Sequence, residues 1–338
     1  MQPASAGGLS GTTYKHLRTW FENNDQISDD LAHVFNLILA NKVPLSISKL
    51  LNAGRGVAVP KNEKGDLRPI VIGHAIMRIL GSIALRELSE DVIAFFLKPA
   101  AVQFGVGIPG GCELMVSAIK LYLEANPNHI DISCDAKNAF NTWDRKKMWS
   151  VLQRHFPSIY SFVKLMYGDS SEILFHEPGI GLSSILNSIG SRQGCSLGSF
   201  LYCLSIHTYL LTLRSEYPDL LILAYCDDVH ILGEPELAIK AYHRWAQLYN
   251  SELQGELRDD KGSCFSPNVP ELSLRNLGLP TFWKDDMKTV LDSEKSMPVT
   301  NFGLRILGIP VGSLPFCQQY AFQYVQDIIS DIFSQLSL

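Results

Sequence analysis

The sequence predicts an α+β fold organised around an antiparallel sheet. Segments with apolar residues at helical spacing and segments with alternating apolar residues follow one another without strict alternation of strand and helix. Several strand-like segments are separated by short polar or glycine-containing turns, as in hairpins. Of 338 residues, 46% are hydrophobic and 19% are charged, so the chain is globular and long enough for one large core or two to three subdomains.

Helices and one hairpin are predicted in the first part of the chain. A helix is predicted from Ser28, a candidate N-cap, until Pro44 ends it. Residues 56–73 read as two strands around a polar loop that carries basic residues. Residues 75–97 are predicted as one long helix, and residues 111–125 as a second.

The second part predicts more strands. One strand ends near Asp135, and helical periodicity resumes near Thr142. Residues 220–233 predict a tight hairpin whose turn contains Asp227 and Asp228. The other predicted elements are strands at 173–177 and 183–191, helices at 196–217 and 235–253, and a strand-turn element at 304–313.

Charge and cysteine usage limit the classes of function. The net charge of −5 and pI near 6.0 count against a nucleic-acid binder, since such domains usually have a basic balance. Seven scattered cysteines without a CxxC pair favour free thiols in a reducing compartment. No leader pattern and no long uncharged apolar run is visible, so we predict an intracellular protein without membrane spans.

Two short motifs suggest competing functions. In "GVGIPGG", Gly105, Gly107 and Gly110 fit the GxGxxG pattern of dinucleotide sites, with Asp131 about twenty residues later, but Pro109 lies in the turn. In "GCSLG", Ser196 fits the nucleophile elbow of a serine hydrolase, yet no oxyanion-loop motif precedes it. We expect an ordinary loop and helix start at each position.

Three carboxylates give the strongest chemical signal. Asp135 ends one predicted strand, and Asp227 and Asp228 occupy the turn of a hairpin. Carboxylates held together between apolar strands repel one another when ionised, unless a multivalent cation lies among them. Hard oxygen ligands suit Mg²⁺, and two such ions about 4 Å apart would activate a hydroxyl and stabilise a leaving phosphate oxygen.

The order of motifs along the chain resembles the reverse transcriptases, most closely those of non-LTR (LINE-type) retrotransposons. The resemblance covers about residues 8 to 312, nearly the whole chain, and eight motifs in order make it specific. The motifs are "GLSGTTYKHL", "VPKNEKGDLRPIVIG", "QFGVGIPGGCE", "DAKNAFNTWDR", "SRQGCSLGSFLYCL", "YCDDVHIL", "DDKGSCFSP" and "LGIPVGS".

The resemblance implies a right-hand polymerase fold and an RNA-directed DNA polymerase. Its parts would be helical and hairpin fingers at 1–130, an antiparallel-sheet palm at 131–313, and the start of a largely absent thumb at 314–338. It also implies two Mg²⁺ ions, with Mn²⁺ as an alternative, and an RNA template, a DNA primer, dNTPs and further domains of a larger polyprotein as partners. The expected compartment is the nucleus for a eukaryotic retrotransposon and otherwise the cytoplasm.

The same resemblance implies roles for individual residues. Asp135 and Asp227 would hold both metals, with Asp228 beside them and the Ala136 carbonyl completing the ligand set. Lys61 and Arg68 would clamp the triphosphate, and a bidentate guanidinium suits phosphate oxygens well. The remaining implied roles are a sugar gate for Phe140, a rest for the nascent base pair at Gln193 and Gly194, protonation of pyrophosphate by Lys261, and a primer grip at Leu307 and Gly308.

One departure from the family pattern concerns the loop before the long apolar helix. The family usually has QGD or QGS followed by Pro-Leu, whereas this chain has "QGCSL", with Cys195 and Ser196. That pair shapes a turn and a helix start, so we expect tolerance. The alternatives are an RNA-dependent RNA polymerase, which Phe140 disfavours, a domesticated scaffold without catalysis, and the serine hydrolase.

Overall fold

A computed structural model describes residues 6–23, 25–60, 67–177, 179, 181–258, 261–269, 299–300 and 303–336. The chain divides into two compact units. Unit 1 consists of Met1–Phe95, Asn138–Ile206 and Glu252–Gln254, and unit 2 consists of Phe96–Lys137, His207–Ser251 and Gly255–Leu338. The chain therefore passes back and forth between the units, and the boundaries predicted for fingers, palm and thumb remain predictions.

The described elements follow the α+β pattern, with 53% helix and 20% strand, so the predicted fold class is confirmed. The helices are α1 (Tyr14–Asn23), α2 (Asp25–Leu39), α3 (Leu45–Asn52), α4 (Ala75–Glu87), α5 (Ser89–Leu97), α6 (Gly111–Ala125), α7 (Ala139–Thr142), α8 (Lys146–His155), α9 (Pro157–Tyr167), α10 (Gly198–Glu216), α11 (Pro235–Leu253) and α12 (Leu314–Leu336). The strands are β1 (Gly54–Pro60), β2 (Leu67–Ile72), β3 (Ile130–Cys134), β4 (Ser171–Glu177), β5 (Gly181–Asn187), β6 (Leu221–Tyr225), β7 (Asp228–Gly233), β8 (Ser263–Phe265), β9 (Val299–Thr300), β10 (Gly303–Ile306) and β11 (Ile309–Gly312).

Two predicted helices differ from the observed ones. The helix predicted from Ser28 begins at Asp25, and the one predicted at 75–97 is divided into α4 and α5. Leu88 leaves the helical region with φ −94° and ψ 8°, which ends α4. Glu90 and Asp91 then lie in the first turn of α5, where negative charge stabilises a helix N-terminus.

Unit 1 contains a four-stranded sheet in the order β2-β1-β4-β5. β1 pairs antiparallel with β2, as the hairpin pattern predicts, and β4 pairs antiparallel with β5. The two hairpins join through a short parallel pairing of β1 with β4, in which Gly54 faces Ile173. The sheet therefore combines segments that lie more than one hundred residues apart in the sequence.

Unit 2 contains a five-stranded sheet in the order β6-β7-β3-β8-β9. All its pairings are antiparallel except that of β8 with β9, which is parallel. One face packs against α6 and the β10-β11 hairpin, and the core side chains there are Met115, Val116, Ile119, Leu123, Leu223, Leu232, Phe265, Leu304, Ile306 and Val311. This packing fixes the β3 end and the β6-β7 turn, where the predicted acids lie.

None of the helices in the described part of the chain is both long enough and apolar enough to cross a membrane.

Candidate active site

Strands β3 and β7 bring Asp135 and Asp228 together. Cys134 pairs with Val229 as the last pair of this ladder, and Asp135 and Asp228 are the residues adjacent to that pair on the two segments. Side chains that face each other across an antiparallel pair lie on the same side of the sheet, with Cβ atoms about 4.5–5.5 Å apart. Two carboxylates from distant parts of the sequence are therefore neighbours.

The two carboxylates influence each other electrostatically. Burial raises the pKa of Asp228 above its usual value, and the charge of Asp135 raises it further, while His230 acts in the opposite direction. The net shift is upward, so the folded protein disfavours the ionised form of Asp228. A cation between the two carboxylates would remove this penalty.

Asp227 lies in the turn that joins β6 to β7. Tyr225 pairs with Asp228, which leaves Cys226 and Asp227 as a two-residue turn. Cys226 has a left-handed backbone with φ 53°, as the turns of short hairpins require. Asp227 and Asp228 are both partly buried, so the turn presents its carboxylates at the edge of the sheet and not fully into solvent.

A buried ion pair lies on the same face of the sheet. His230 donates from Nδ1 to the Asp131 carboxylate, with both oxygens at 3.0 Å, and both side chains are almost fully buried. Burial lowers the pKa of His230, but the charge and hydrogen bond of Asp131 and the charge of Asp228 outweigh it, so the pKa is raised. The sequence offered one signal for His230, its position two residues after Asp228 on the same strand face.

The backbone at Ala136 leaves its carbonyl oxygen available. Ala136 faces Leu257 in an isolated antiparallel bridge. The hydrogen bonds of that bridge run from Arg258 N–H to Asp135 O, at 2.8 Å, and from Lys137 N–H to Glu256 O, at 2.9 Å. Within the described residues no hydrogen bond reaches the Ala136 carbonyl, so it can serve as an oxygen ligand beside Asp135.

The oxygen atoms of Asp135, Asp228 and Ala136 suit Mg²⁺ better than a metal whose ligands must all come from the protein. In the described part of the chain, no group of three or more His, Cys, Asp or Glu side chains is placed to hold a metal ion. Mg²⁺ usually takes one or two carboxylates and completes its octahedron with water and substrate phosphates. The facing pair of Asp135 and Asp228, with the Ala136 carbonyl, fits that donor set.

The other residues predicted in unit 2 lie near strand ends and turns. Lys261 N–H donates to Arg258 O, so Lys261 is bound to the residue whose own N–H donates to Asp135 O. Leu307 and Gly308 form the β10-β11 turn, both with positive φ, at 49° and 85°. The Tyr320 hydroxyl donates to Gly308 O at 3.1 Å, which attaches this turn to α12.

Unit 1 holds the residues predicted for the triphosphate and the base pair. Arg68 is exposed on β2, and Lys61 lies outside the described residues. Val71 N–H, also on β2, donates to Gln193 O at 2.7 Å. Gly194 follows with φ 100°, and a Cβ there would lie 2.7 Å from Val71 O. The Gln193 loop is thus fixed to the strand that presents Arg68.

Phe140 is partly buried in unit 1, at the start of α7. Its ring packs against Tyr202, with centroids 4.9 Å apart. Its carbonyl accepts hydrogen bonds from the backbone N–H of Ser191, at 2.6 Å, and from the Ser191 hydroxyl, at 3.2 Å. The backbone of Phe140 is therefore held by Ser191 and its ring by Tyr202, and its role as a sugar gate stays a prediction.

The structure gives the two competing motifs other roles. The Ser196 hydroxyl is buried and has no hydrogen-bond partner among the described residues. A Cβ on Gly81 would lie 2.2 Å from it, so Ser196 packs against α4 and does not present a nucleophile. Gly110 adopts φ 63° as the N-cap of α6, and the glycine-rich segment precedes that helix without a strand of its own.

Comparison with curated proteins finds retrotransposon polyproteins, while no family model matches the chain. The retrotransposable element SLACS 132 kDa protein of Trypanosoma brucei gambiense is 24% identical over 234 residues, which is 69% of this chain and 19% of that protein. The transposon TX1 uncharacterized 149 kDa protein of Xenopus laevis is 26% identical over 165 residues, 46% of this chain and 12% of that protein. The chain thus spans at most about a fifth of these relatives.

Comparison with solved structures finds telomerases. Telomerase of Candida albicans, in complex with a TWJ fragment of telomeric RNA, has a TM-score of 0.52 over 76% of this chain and 49% of that chain. Apo telomerase of Candida tropicalis, truncated from the C-terminal domain, has a TM-score of 0.51 over 66% of this chain and 52% of that chain. Both are 12% identical, so the likeness concerns the fold. The resemblance to the reverse transcriptase domain of non-LTR retrotransposons, and the polymerase fold that it implies, are confirmed.

Proposed function

We propose that the chain is an RNA-directed DNA polymerase. In the proposed reaction, the 3′-OH of a primer attacks the α-phosphate of a dNTP paired with an RNA template, and pyrophosphate leaves. The observation that carries the proposal is the pair of carboxylates, Asp135 and Asp228, held face to face beside the turn at Asp227. The retrotransposon relatives and the polymerase fold support it.

Asp135, Asp227, Asp228 and the Ala136 carbonyl would hold two Mg²⁺ ions, or Mn²⁺ in their place. The ions would supply charge neutralisation at the attacking and leaving oxygens. The protein itself would position and neutralise the reactants, as phosphoryl transfer generally demands. The spacing of Asp135 and Asp228 is held by the paired strands beside them, because Asp135 directly follows Cys134 of β3 and Asp228 directly precedes Val229, the partner of Cys134.

Each residue that the family resemblance singles out would have its own role toward the substrates. Arg68 and Lys61 would neutralise the triphosphate, and Gln193, tied to β2, would support the nascent base pair. Phe140 would exclude the ribose 2′-OH. In unit 2, Lys261 would protonate the leaving pyrophosphate. The primer end would rest on Leu307 and Gly308.

The proposal extends to partners and compartment. Because the chain covers only 19% and 12% of its curated relatives, we propose that it acts within a larger polyprotein. An RNA template and a DNA primer would be its macromolecular substrates. The proposed site of action is the nucleus if the element is eukaryotic and the cytoplasm otherwise.

Primer extension tests the proposal directly. The chain should incorporate dNTPs on a primed RNA template in the presence of Mg²⁺ and lose this activity on chelation. Asp227→Asn should abolish extension without lowering the melting temperature, because the change keeps the turn and removes one charge. Asp219→Asn, an exposed acid before β6, is the matched control and should extend normally.

The outcome also separates the alternatives. Extension by Asp227→Asn at the wild-type rate would refute the assignment of the carboxylates. A folded wild-type protein that binds primed RNA but extends nothing would favour the scaffold. Preferential incorporation of NTPs would favour the RNA-dependent RNA polymerase.

A further inference from the structure

A fully buried glutamine holds the turn that carries the proposed catalytic acids. Gln103 is 0% exposed and precedes α6. Its side-chain oxygen Oε1 accepts hydrogen bonds from the backbone N–H of Cys226 and of Gly105, both at 2.9 Å. Its Nε2 donates to the carbonyl oxygen of Cys226 at 3.2 Å. One side chain therefore binds both backbone polar groups of Cys226.

The backbone around Gln103 fixes its register against β6. Ala224 N–H donates to Val102 O, and Phe104 N–H donates to Ala224 O, both at 2.7 Å. Gln103 and Ala224 form an isolated parallel bridge at the outer edge of the sheet, where β6 lies. The amide of Gln103 thus reaches the turn from a backbone segment that is itself bound to the adjacent strand.

Steric contact strengthens the same connection. Cys226 holds φ 53°, a left-handed conformation that is strained for a residue with a Cβ. A Cβ on Gly105 would lie 2.3 Å from Cys226 N and 2.6 Å from its Sγ, so only glycine permits this close approach. Gln103, Gly105 and Cys226 form one interlocked group, which we name the turn clamp.

We propose that Gln103 is a positioning residue that orients Asp227 and Asp228 toward Asp135 through the turn clamp; the catalytic part of this inference rests on the proposed function. Asp227 and Asp228 follow Cys226 directly, so a backbone rotation at Cys226 displaces both carboxylates. A displacement of about 1 Å in a catalytic group can lower a rate about a hundredfold. The clamp would keep the acids placed before substrate binds.

Gln103→Met tests the inference because it keeps the side-chain length and removes all three hydrogen bonds. We expect kcat for primer extension to fall about 10- to 100-fold, while the KM for dNTP changes less than about threefold. The half-saturating Mg²⁺ concentration should rise. Hydrogen exchange in a peptide spanning residues 222–229 should become faster, and this measurement needs no activity.

Two further variants distinguish positioning from general loss of stability. Ser266→Ala removes two hydrogen bonds of another buried side chain in unit 2, one to His129 O and one from Val269 N–H, and should leave kcat unchanged. Adding Cys226→Gly to Gln103→Met should restore part of kcat, because glycine adopts positive φ without strain.

The possible results decide the inference. The inference would be overturned if hydrogen exchange in the turn became faster in Gln103→Met while kcat stayed unchanged. It would also be overturned if Ser266→Ala lost as much kcat as Gln103→Met. If Gln103→Met does not fold, Gln103→Glu takes its place, because it keeps the Oε1 acceptor. Its kcat should lie between that of the wild type and the value expected for Gln103→Met. A wild-type kcat in Gln103→Glu would overturn the inference. If the wild-type protein extends no primer, the proposed function fails. Hydrogen exchange in the turn, and Mn²⁺ affinity measured by paramagnetic resonance, would still test whether Gln103 holds the turn for metal binding.

Discussion

Units 1 and 2 bury charged side chains in different ways. In unit 1, the guanidinium carbons of Arg145 and Arg192 lie 4.9 Å and 5.2 Å from the centroid of the buried Tyr167 ring. Their hydrogen bonds go mainly to backbone carbonyls, and no described carboxylate pairs with either guanidinium. In unit 2, the buried charges are Asp131 and His230, next to the facing pair of Asp135 and Asp228.

The difference separates buried charges that are bound to the surrounding backbone from carboxylates that lie close to one another. Arg145 donates to fixed carbonyls of its own unit, so its charge is used structurally. Asp135 and Asp228 lie close together, and burial followed by the charge of Asp135 raises the pKa of Asp228 despite the opposing effect of His230. Unit 1 contains 16 basic and 14 acidic residues, a net charge of +2, whereas unit 2 contains 13 basic and 20 acidic residues, a net charge of −7. The overall acidity that counted against nucleic-acid binding therefore belongs to the unit with the carboxylates.

The largest expected effect is on the proposed polymerase activity. Asp228→Asn should lower primer extension by about a thousandfold or more, since metal-bound carboxylates contribute several kcal/mol to the transition state. The same change should raise the melting temperature of the metal-free protein by about 2 °C, because burial and Asp135 raise the pKa of Asp228 and make its charge destabilising. Calorimetry at pH 7 and primer extension measure the two effects. A melting temperature that falls by several degrees would contradict the electrostatic part of the comparison.

The second prediction concerns stability in unit 1. Arg145→Met should lower the free energy of unfolding by about 3 kcal/mol, because it leaves the backbone carbonyl of Gly190 and the side-chain carbonyl of Asn187 without their donor. Burial also lowers the pKa of Arg145 to about 10, which reflects the cost of enclosing this charge without a carboxylate. Urea unfolding measures the loss, and Arg154→Met, an exposed arginine on α8, is the control. A loss below about 1 kcal/mol would show that the carbonyls find other partners.

The sequence predicted individual helices and strands better than the contacts between elements that lie far apart in the chain. Alternation and turn residues predicted β3, the β6-β7 hairpin and the β10-β11 hairpin, because these signals depend on neighbours in the chain. The pairing of Gly54 with Ile173 and the bond between Gln103 and Cys226 depend on tertiary packing, which no local period encodes. The acids at the site were predicted because their motifs resemble a family. His230 and Gln103 were missed because their role is visible only in their contacts.

The third prediction concerns the choice of sugar. Phe140→Ala should lower the preference for dNTPs over NTPs by about tenfold or more, because it removes the bulk that would meet a 2′-OH. The preference is the ratio of kcat/KM values for matched nucleotides. Phe21→Ala, a partly exposed phenylalanine on α1, is the control and should leave the ratio unchanged. An unchanged ratio in Phe140→Ala would leave that ring with a packing role against Tyr202 only.

The smallest expected effects come from two histidines whose pKa values shift in opposite directions. In unit 1, burial lowers the pKa of His74, although the hydrogen bond to Leu50 O partly opposes this. The contribution of the neutral His74 ring to the free energy of unfolding is therefore complete above pH 6.5, and it is lost as the pH falls through the folded-state pKa. In unit 2, His230 has a raised pKa, so its contribution is complete below pH 6.5 and lost as the pH rises through the folded-state pKa.

Melting temperatures between about pH 5 and about pH 8, roughly one and a half units on either side of the ordinary histidine pKa, separate the two contributions. His74→Gln should reduce the loss of stability on the acidic side, because the residue no longer gains a proton on unfolding. His230→Gln should reduce the loss on the alkaline side, because no imidazolium remains to pair with Asp131. If both substitutions changed stability on the same side of the pH profile, the prediction that the pKa values of His74 and His230 shift in opposite directions would be wrong.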